Sequence, residues 1–180
     1  KGIGALYVAR GIKLSPITFG GGQEMGLRSG TENVPNLIGF SVASELAKKH
    51  LISSRKQYQS LAKTFREIIE QKSKITPLWL GNPKHQLANF IPVCFDGLDA
   101  ERLIFKLEDR GIYVSTGAAC AASKGQKSHV LSAIELSDSE IAGSLRITLG
   151  KDTTLDDIKT AADNLAEVVN LEARRLKLID

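Results

Sequence analysis

Cysteine is scarce in this chain. There are two among 180 residues, Cys94 and Cys120, and they sit in unlike surroundings. Two unmatched cysteines make no disulfide framework of the kind that supports small secreted folds. Metal-ligand spacing is missing as well. No CxxC pair occurs, and His50, His85 and His129 stand far apart, so no metal is expected. Aromatic residues make up 6%, and the net charge of +4 is scattered rather than gathered into a basic block interleaved with aromatics. That pattern argues against a nucleic-acid partner. No apolar run approaches the ~18 residues that span a membrane, so no membrane partner is expected. The start carries no signal-peptide pattern, which makes a cytoplasmic compartment the default. Residue 1 is Lys rather than Met, and the chain opens almost directly into a strand-like run. It reads as a piece cut from a longer protein.

What is present is an ordinary globular composition, 42% hydrophobic and 24% charged. Within it the stretch Ser115-Thr116-Gly117-Ala118-Ala119-Cys120-Ala121-Ala122-Ser123 stands out. A structural cysteine normally sits among large apolar side chains. Cys120 has only small residues beside it, which suits a reachable thiol, although a small-residue turn that happens to contain Cys reads the same way. Cys94, between Val93 and Phe95, reads as an inert core thiol.

Taken in order, Gly2 to Arg10 reads as a strand. Gly20 to Asn33 has five glycines in its first eleven residues, which excludes a helix or a packed strand. It is a loop rich in Gly, Arg, Ser and Thr that opens into a helix, with Thr31 or Asn33 as the cap. Such a loop can hold an anion or serve as a plain connector. From Val34 to about Lys72 apolar residues recur at helical spacing (Leu37, Phe40, Ala43, Ala47, Leu51, then Tyr58, Leu61, Phe65, Ile68, Ile69). A continuous helix of that length measures ~58 Å; it bridges two bodies or breaks, most plausibly at Ser53-Ser54. Lys74–Lys84, with Pro77, Gly81 and Pro83, reads as a connection with room for a short strand at Leu78–Leu80. Leu87–Phe95 reads as a strand made edge-like or irregular by Pro92. Asp99 caps a helix that Gly111 ends. Ile112–Val114 is a strand running into the Cys120 stretch, and His129–Glu135 is a short helix. Ser137 to Glu140 has capping-box spacing. Leu145–Leu149 alternates as a strand with Arg146 facing away from the apolar residues. Asp152-Thr153-Thr154 caps a final helix from about Leu155 to Leu178, with Ile158, Ala161, Leu165, Val168, Val169 and Leu176 as its apolar stripe. The expectation is an α+β fold with about three short antiparallel strands and helices on one side.

Several segments, in order, resemble the NifS/IscS-like cysteine desulfurases, pyridoxal-phosphate (PLP) enzymes of the class-V aminotransferase family with fold type I. They are Lys1-Gly-Ile-Gly-Ala-Leu-Tyr-Val8, Gly20-Gly-Gly-Gln-Glu-Met-Gly-Leu-Arg-Ser-Gly-Thr31-Glu-Asn-Val-Pro35, Ser115-Thr-Gly-Ala-Ala-Cys120 and Ser144-Leu-Arg146-Ile-Thr-Leu-Gly150. The resemblance implies the C-terminal part of such an enzyme. Residues 1–33 would be a remnant of the large PLP-binding domain, 34–73 a linking helix, and 74–180 the small C-terminal domain. It implies that Cys120 is the nucleophile that becomes a persulfide. Arg146 would hold the carboxylate of L-cysteine, and Thr31 would reach the PLP phosphate of the partner subunit in a homodimer. It implies an external sulfur acceptor such as an iron–sulfur scaffold protein. The family's Schiff-base lysine falls before Lys1, so the chain by itself is expected to bind no PLP and to be inactive. The alternatives within reach are a selenocysteine lyase or another class-V PLP enzyme, and a non-enzymatic sulfur-carrier or scaffold-binding module.

Overall fold

The structure is a computed structural model that describes residues 2–82, 84–117 and 128–180. Two compact units can be distinguished, Lys1–Ile52 and Ser53–Asp180.

In the first unit the expected strand over residues 2–10 is not formed. A strand exists by pairing with a neighbour, and the described residues place none beside it; Leu6 and Tyr7 are exposed. The glycine-rich segment is a loop braced by its own polar groups. Thr18 and Arg28 form a bridge, Ser29 Oγ donates to Gly21 O at 2.7 Å, and Gly30 N donates to Gln23 Oε1 at 3.2 Å. It does contain one helical turn, a 3₁₀ turn at Gln23–Gly26, inside which Glu24 and Met25 take left-handed angles (φ 52° and 56°).

Helix α1, Val34–Lys72, is continuous. The break expected at Ser53-Ser54 is absent: serine is only a moderately poor helix former, and neither Gly nor Pro is near. Pro35 sits in the first turn, where its missing N–H costs nothing. Asn33 is the cap, its Oδ1 accepting from Asn36 N at 3.2 Å. Only Leu61, Phe65 and Ile69 of this helix are fully buried, so the predicted stripe is core-facing over its second half alone. Leu37, Phe40 and Leu51 are exposed.

The second unit is built on a four-stranded antiparallel sheet, one strand more than expected. Its strands are β1 (Leu78–Trp79), β2 (Phe90–Cys94), β3 (Ser115–Thr116) and β4 (Ser144–Thr148), in spatial order β1-β2-β4-β3. The strand expected at 112–114 is displaced to 115–116, where Ser115 pairs with Arg146 and Thr116 with Leu145. Pro92 lies in an interior strand, not at an edge. The bonds from Phe95 N to Gly143 O and from Leu149 N to Asn89 O show that odd-numbered residues of β2 bond to β4. Pro92 therefore turns its nitrogen toward β1. Its carbonyl accepts from Leu80 N at 3.1 Å, but it has no N–H to return, and the β1–β2 ladder stops at Trp79.

The period of two in β2 and β4 puts Ile91, Val93, Leu145 and Ile147 on one face. That face packs on Leu103 and Leu107 of α2 (Ala100–Glu108) and on Ile158, Leu165, Val168 and Val169 of α5 (Leu155–Arg175). Leu61, Phe65 and Ile69 of α1 join the same core. Burying each large side chain is worth about 1.5–3 kcal/mol. Asp99 caps α2 as expected, Thr154 is the one of residues 152–154 that caps α5, and Gly111 (φ 73°) ends α2 with N–H to Glu108 O. Leu176, placed in the α5 stripe by its spacing, is instead 39% exposed, because the helix stops at Arg175. Helices do not lie on one side only. On the other face, α3 (His129–Ala133) and α4 (Asp138–Ala142) cover Leu80 and Cys94 with Leu131, Leu136 and Ile141.

Between α2 and α5, Glu172 is buried and bonded to Arg102 Nε (2.7 Å), Arg175 Nε (2.7 Å) and Lys106 Nζ (3.2 Å). Burial alone would raise its carboxyl; the bonds from Arg175, Arg102 and Lys106 outweigh burial and hold it down to about 2. A carboxyl lowered by folding stabilises the native state fully above its unfolded pKa, near 4.5. The contribution fades as pH falls toward about 2. Breaking a fully buried pair costs about 3–5 kcal/mol. The three cations here are 39–49% exposed and can turn to water, so Glu172→Gln is expected to cost about 2 kcal/mol at pH 7. The difference from the parent chain should shrink below pH 4. Urea unfolding at both pH values measures it; a cost unchanged at pH 3 contradicts the ionic account.

Candidate functional site

Arg146 sits in the middle of β4, half-buried, on the face opposite the main core. Its cross-strand neighbours are Pro92 on β2 and Ser115 on β3. Its Nε is buried and has no hydrogen-bond partner among the described residues. A charged donor left in that state is costly, about 1–3 kcal/mol or more, and a carboxylate laid against the guanidinium would satisfy it. The sequence alternation had placed Arg146 off the apolar face, and the structure agrees.

Beside it runs β3, the strand that leads into the Cys120 stretch. Thr116 Oγ1 is also buried, with no hydrogen-bond partner among the described residues. Gly117 follows and donates its N–H to Ser144 O at 3.0 Å. Cys120 itself lies outside the described residues. The structure thus brings together Arg146 and the strand that precedes the predicted nucleophile in sequence.

The other cysteine is fixed. Cys94 is fully buried beneath Leu80 and Leu131. Burial pushes its thiol up to about 11, against a lowering bond from Ser144. It is therefore protonated and shielded at neutral pH, as its apolar flanks predicted.

Thr31 belongs to the first unit. It is exposed and takes no part in capping α1, since Asn33 does that. Arg28, the loop's cation, is partly engaged within the loop through Ser29 O (2.8 Å) and Thr18 Oγ1 (3.4 Å). Sequence reasoning missed the packing role of Gly117, Ser128, Leu131 and Gly143. The small residues were visible, but the atoms that press on Gly117 (from Leu131 and Ser144) and on Gly143 (the backbone of Phe95 and Leu98) come from other segments.

The family model for aminotransferase class-V matches residues 1–160. The chain belongs to the class-V aminotransferase family. Relatives within it include a protein named cysteine desulfurase IscS from Methanosarcina thermophila, 40% identical over 94% of this chain and 41% of its own length. Cysteine desulfurase IscS 1 from Archaeoglobus fulgidus is 40% identical over 98% of this chain and 45% of its own. Among solved structures, a NifS-like protein aligns with a TM-score of 0.78 at 28% identity, covering 92% of this chain and 41% of that one. A NifS-like protein from Rickettsia africae aligns at 0.74 and 27%, covering 87% and 40%. The chain thus spans about two fifths of the length of the relatives it matches.

Class-V aminotransferases work through PLP, whose electron-sink chemistry requires a lysine to hold it. On the Arg146 face the cross-strand neighbours are a proline and a serine. The described lysine ion pairs, from Lys63, Lys72, Lys106 and Lys159, all go to carboxylates of the helices. Around Arg146 the described residues suit a carboxylate.

Proposed function

We propose that the whole protein is a PLP-dependent cysteine desulfurase. In the net reaction L-cysteine and the Cys120 thiol give alanine and a Cys120 persulfide, and the persulfide sulfur passes to an acceptor such as an iron–sulfur scaffold protein. The observation that carries this reading is the buried Nε of Arg146, unpartnered among the described residues, on the strand beside the one leading to Cys120. It stands in a chain 40% identical to proteins named cysteine desulfurase. Arg146 holds the carboxylate of L-cysteine. Thr31 supplies a hydroxyl to the PLP phosphate of the partner subunit in a homodimer, which its exposure allows. The organisation that goes with this reading is a large-domain portion at 1–33, a linking helix at 34–73 and a small domain at 74–180, acting in the cytoplasm.

The test is persulfide mapping. The whole protein is given PLP and L-cysteine, alkylated, and analysed by mass spectrometry, with alanine measured in parallel. Cys120 should carry the extra sulfur and Cys94 should remain unlabelled. Cys120→Ser should abolish sulfur transfer. Persulfide on Cys94, or full transfer by Cys120→Ser, would remove Cys120 from the role; absence of alanine would remove the desulfurase reading itself.

A further inference from the structure

We propose that Ser115 is a second donor to the carboxylate of L-cysteine, an inference that rests on the clamp role given to Arg146 above. Residues directly opposite one another on paired strands share a face, and Ser115 stands opposite Arg146. Gly117 N donates to Ser144 O. Ser115 and Arg146, two residues further along, are therefore a hydrogen-bonded pair as well, a type whose Cα atoms lie about 5.5 Å apart. The cross-strand neighbour on the other side is Pro92, whose side chain has no donor. Along β4 the same face carries Ser144 and Thr148. Ser144 is buried, and its hydroxyl already donates to Glu140 O at 2.6 Å. Thr148 is exposed and lies opposite Phe90. That leaves Ser115, half-buried, as the hydroxyl among the described residues that flanks the guanidinium.

Which nitrogen of Arg146 lacks a partner decides where the carboxylate lies. It is Nε, the guanidinium nitrogen nearest the backbone. A carboxylate held side-on by Nε and one Nη sits lower over the sheet than one held end-on by the two Nη groups. Low over the sheet, it comes within reach of a short hydroxyl on the neighbouring strand. The two bonds from the guanidinium do not saturate it, because an ionised carboxylate offers about four lone-pair sites. One of these is left for the Ser115 O–H. The pair then reads the carboxylate of the substrate and neither its amine nor its thiol. Removing the hydroxyl should weaken the hold on L-cysteine about tenfold, the usual scale for one bond to a charged group. It should not touch a thiol that carries no carboxylate.

The experiment measures kcat and KM for L-cysteine in the whole protein, together with the inhibition constant of cysteamine, which is L-cysteine without its carboxylate. Ser115→Ala should raise KM about tenfold, with kcat and the cysteamine constant each within about twofold of the parent. Ser115→Thr keeps the hydroxyl and should hold KM within about threefold. Ser115→Val has the shape of threonine without the hydroxyl, suits a strand, and should behave as Ser115→Ala; it serves where the alanine variant does not fold. Thr148→Val removes the other hydroxyl of this face and should leave KM within about twofold. KM unchanged on loss of the Ser115 hydroxyl would overturn the inference. So would a cysteamine constant that rises in step with KM, which marks a general disturbance of the site, or an equal rise in KM from Thr148→Val. If Arg146→Met itself leaves KM unchanged, or the parent makes no alanine, the underlying reading falls and takes this inference with it.

Discussion

Arg146→Met is expected to raise KM for L-cysteine about 100-fold in the whole protein and to leave the fold as stable as before, or more so. Both halves follow from the same atom. Arg146 Nε is buried and bonds to nothing among the described residues, on a strand otherwise fully paired with β2. Hydrogen bonds to a charged group are worth about 1.5–3 kcal/mol, so losing a two-pronged hold on a carboxylate accounts for a 100-fold effect. Methionine fills similar volume and brings no donor. Relieving the unpaired donor should leave stability unchanged or higher by about 1 kcal/mol. Steady-state kinetics and urea unfolding of the same preparation provide the comparison. A residue retained for packing would behave in the opposite way. If Arg146→Met lost about 2 kcal/mol of stability while KM held, the clamp assignment would be wrong.

The largest loss of stability should come from a glycine. Gly143→Ala places a Cβ 2.3 Å from Phe95 O, 3.0 Å from Phe95 C and 3.2 Å from Leu98 O. All three are backbone atoms, so no side chain can swing aside. Gly143 O also accepts from Phe95 N at 3.0 Å, so retreat breaks the ladder at the start of β4. Overpacking usually costs about 1–3 kcal/mol, and with backbone on the far side a loss of about 3 kcal/mol or more is expected. The control is Gly39→Ala in α1. Its added Cβ meets nothing within 4 Å, and replacing a helical glycine gains about 0.5–1 kcal/mol. Thermal melts of the two variants should move in opposite directions. Equal shifts would mean that backbone freedom, and not space, sets the effect at Gly143.

Elements announced by local chemistry were legible in the sequence. The Ser137 capping box, the Asp99 cap, a cap within residues 152–154 and the alternation of β4 all appear where side-chain pattern put them. What failed depended on neighbours. Residues 2–10 have strand composition, but composition supplies no partner. Pro92 was read as an edge residue because which side of β2 bonds to which strand is not written in β2 itself. Leu37, Phe40 and Leu51 follow a helical stripe as regular as Leu61, Phe65 and Ile69, yet only the latter meet a core. At the site, Arg146 was legible from its off-face position in an alternating strand. The close fit of Gly117 against Leu131, where an added Cβ would lie 2.8 Å from Leu131 Cδ1, was not, since it joins two separate segments.

Pro92 also bears on how the molecule avoids unwanted company. The outer rim of a sheet is a template on which a foreign strand can grow. By cutting the β1 ladder to Leu78 and Trp79, the missing N–H of one proline leaves that rim too short to seed such growth. A residue inside β2 thereby guards the border one strand away.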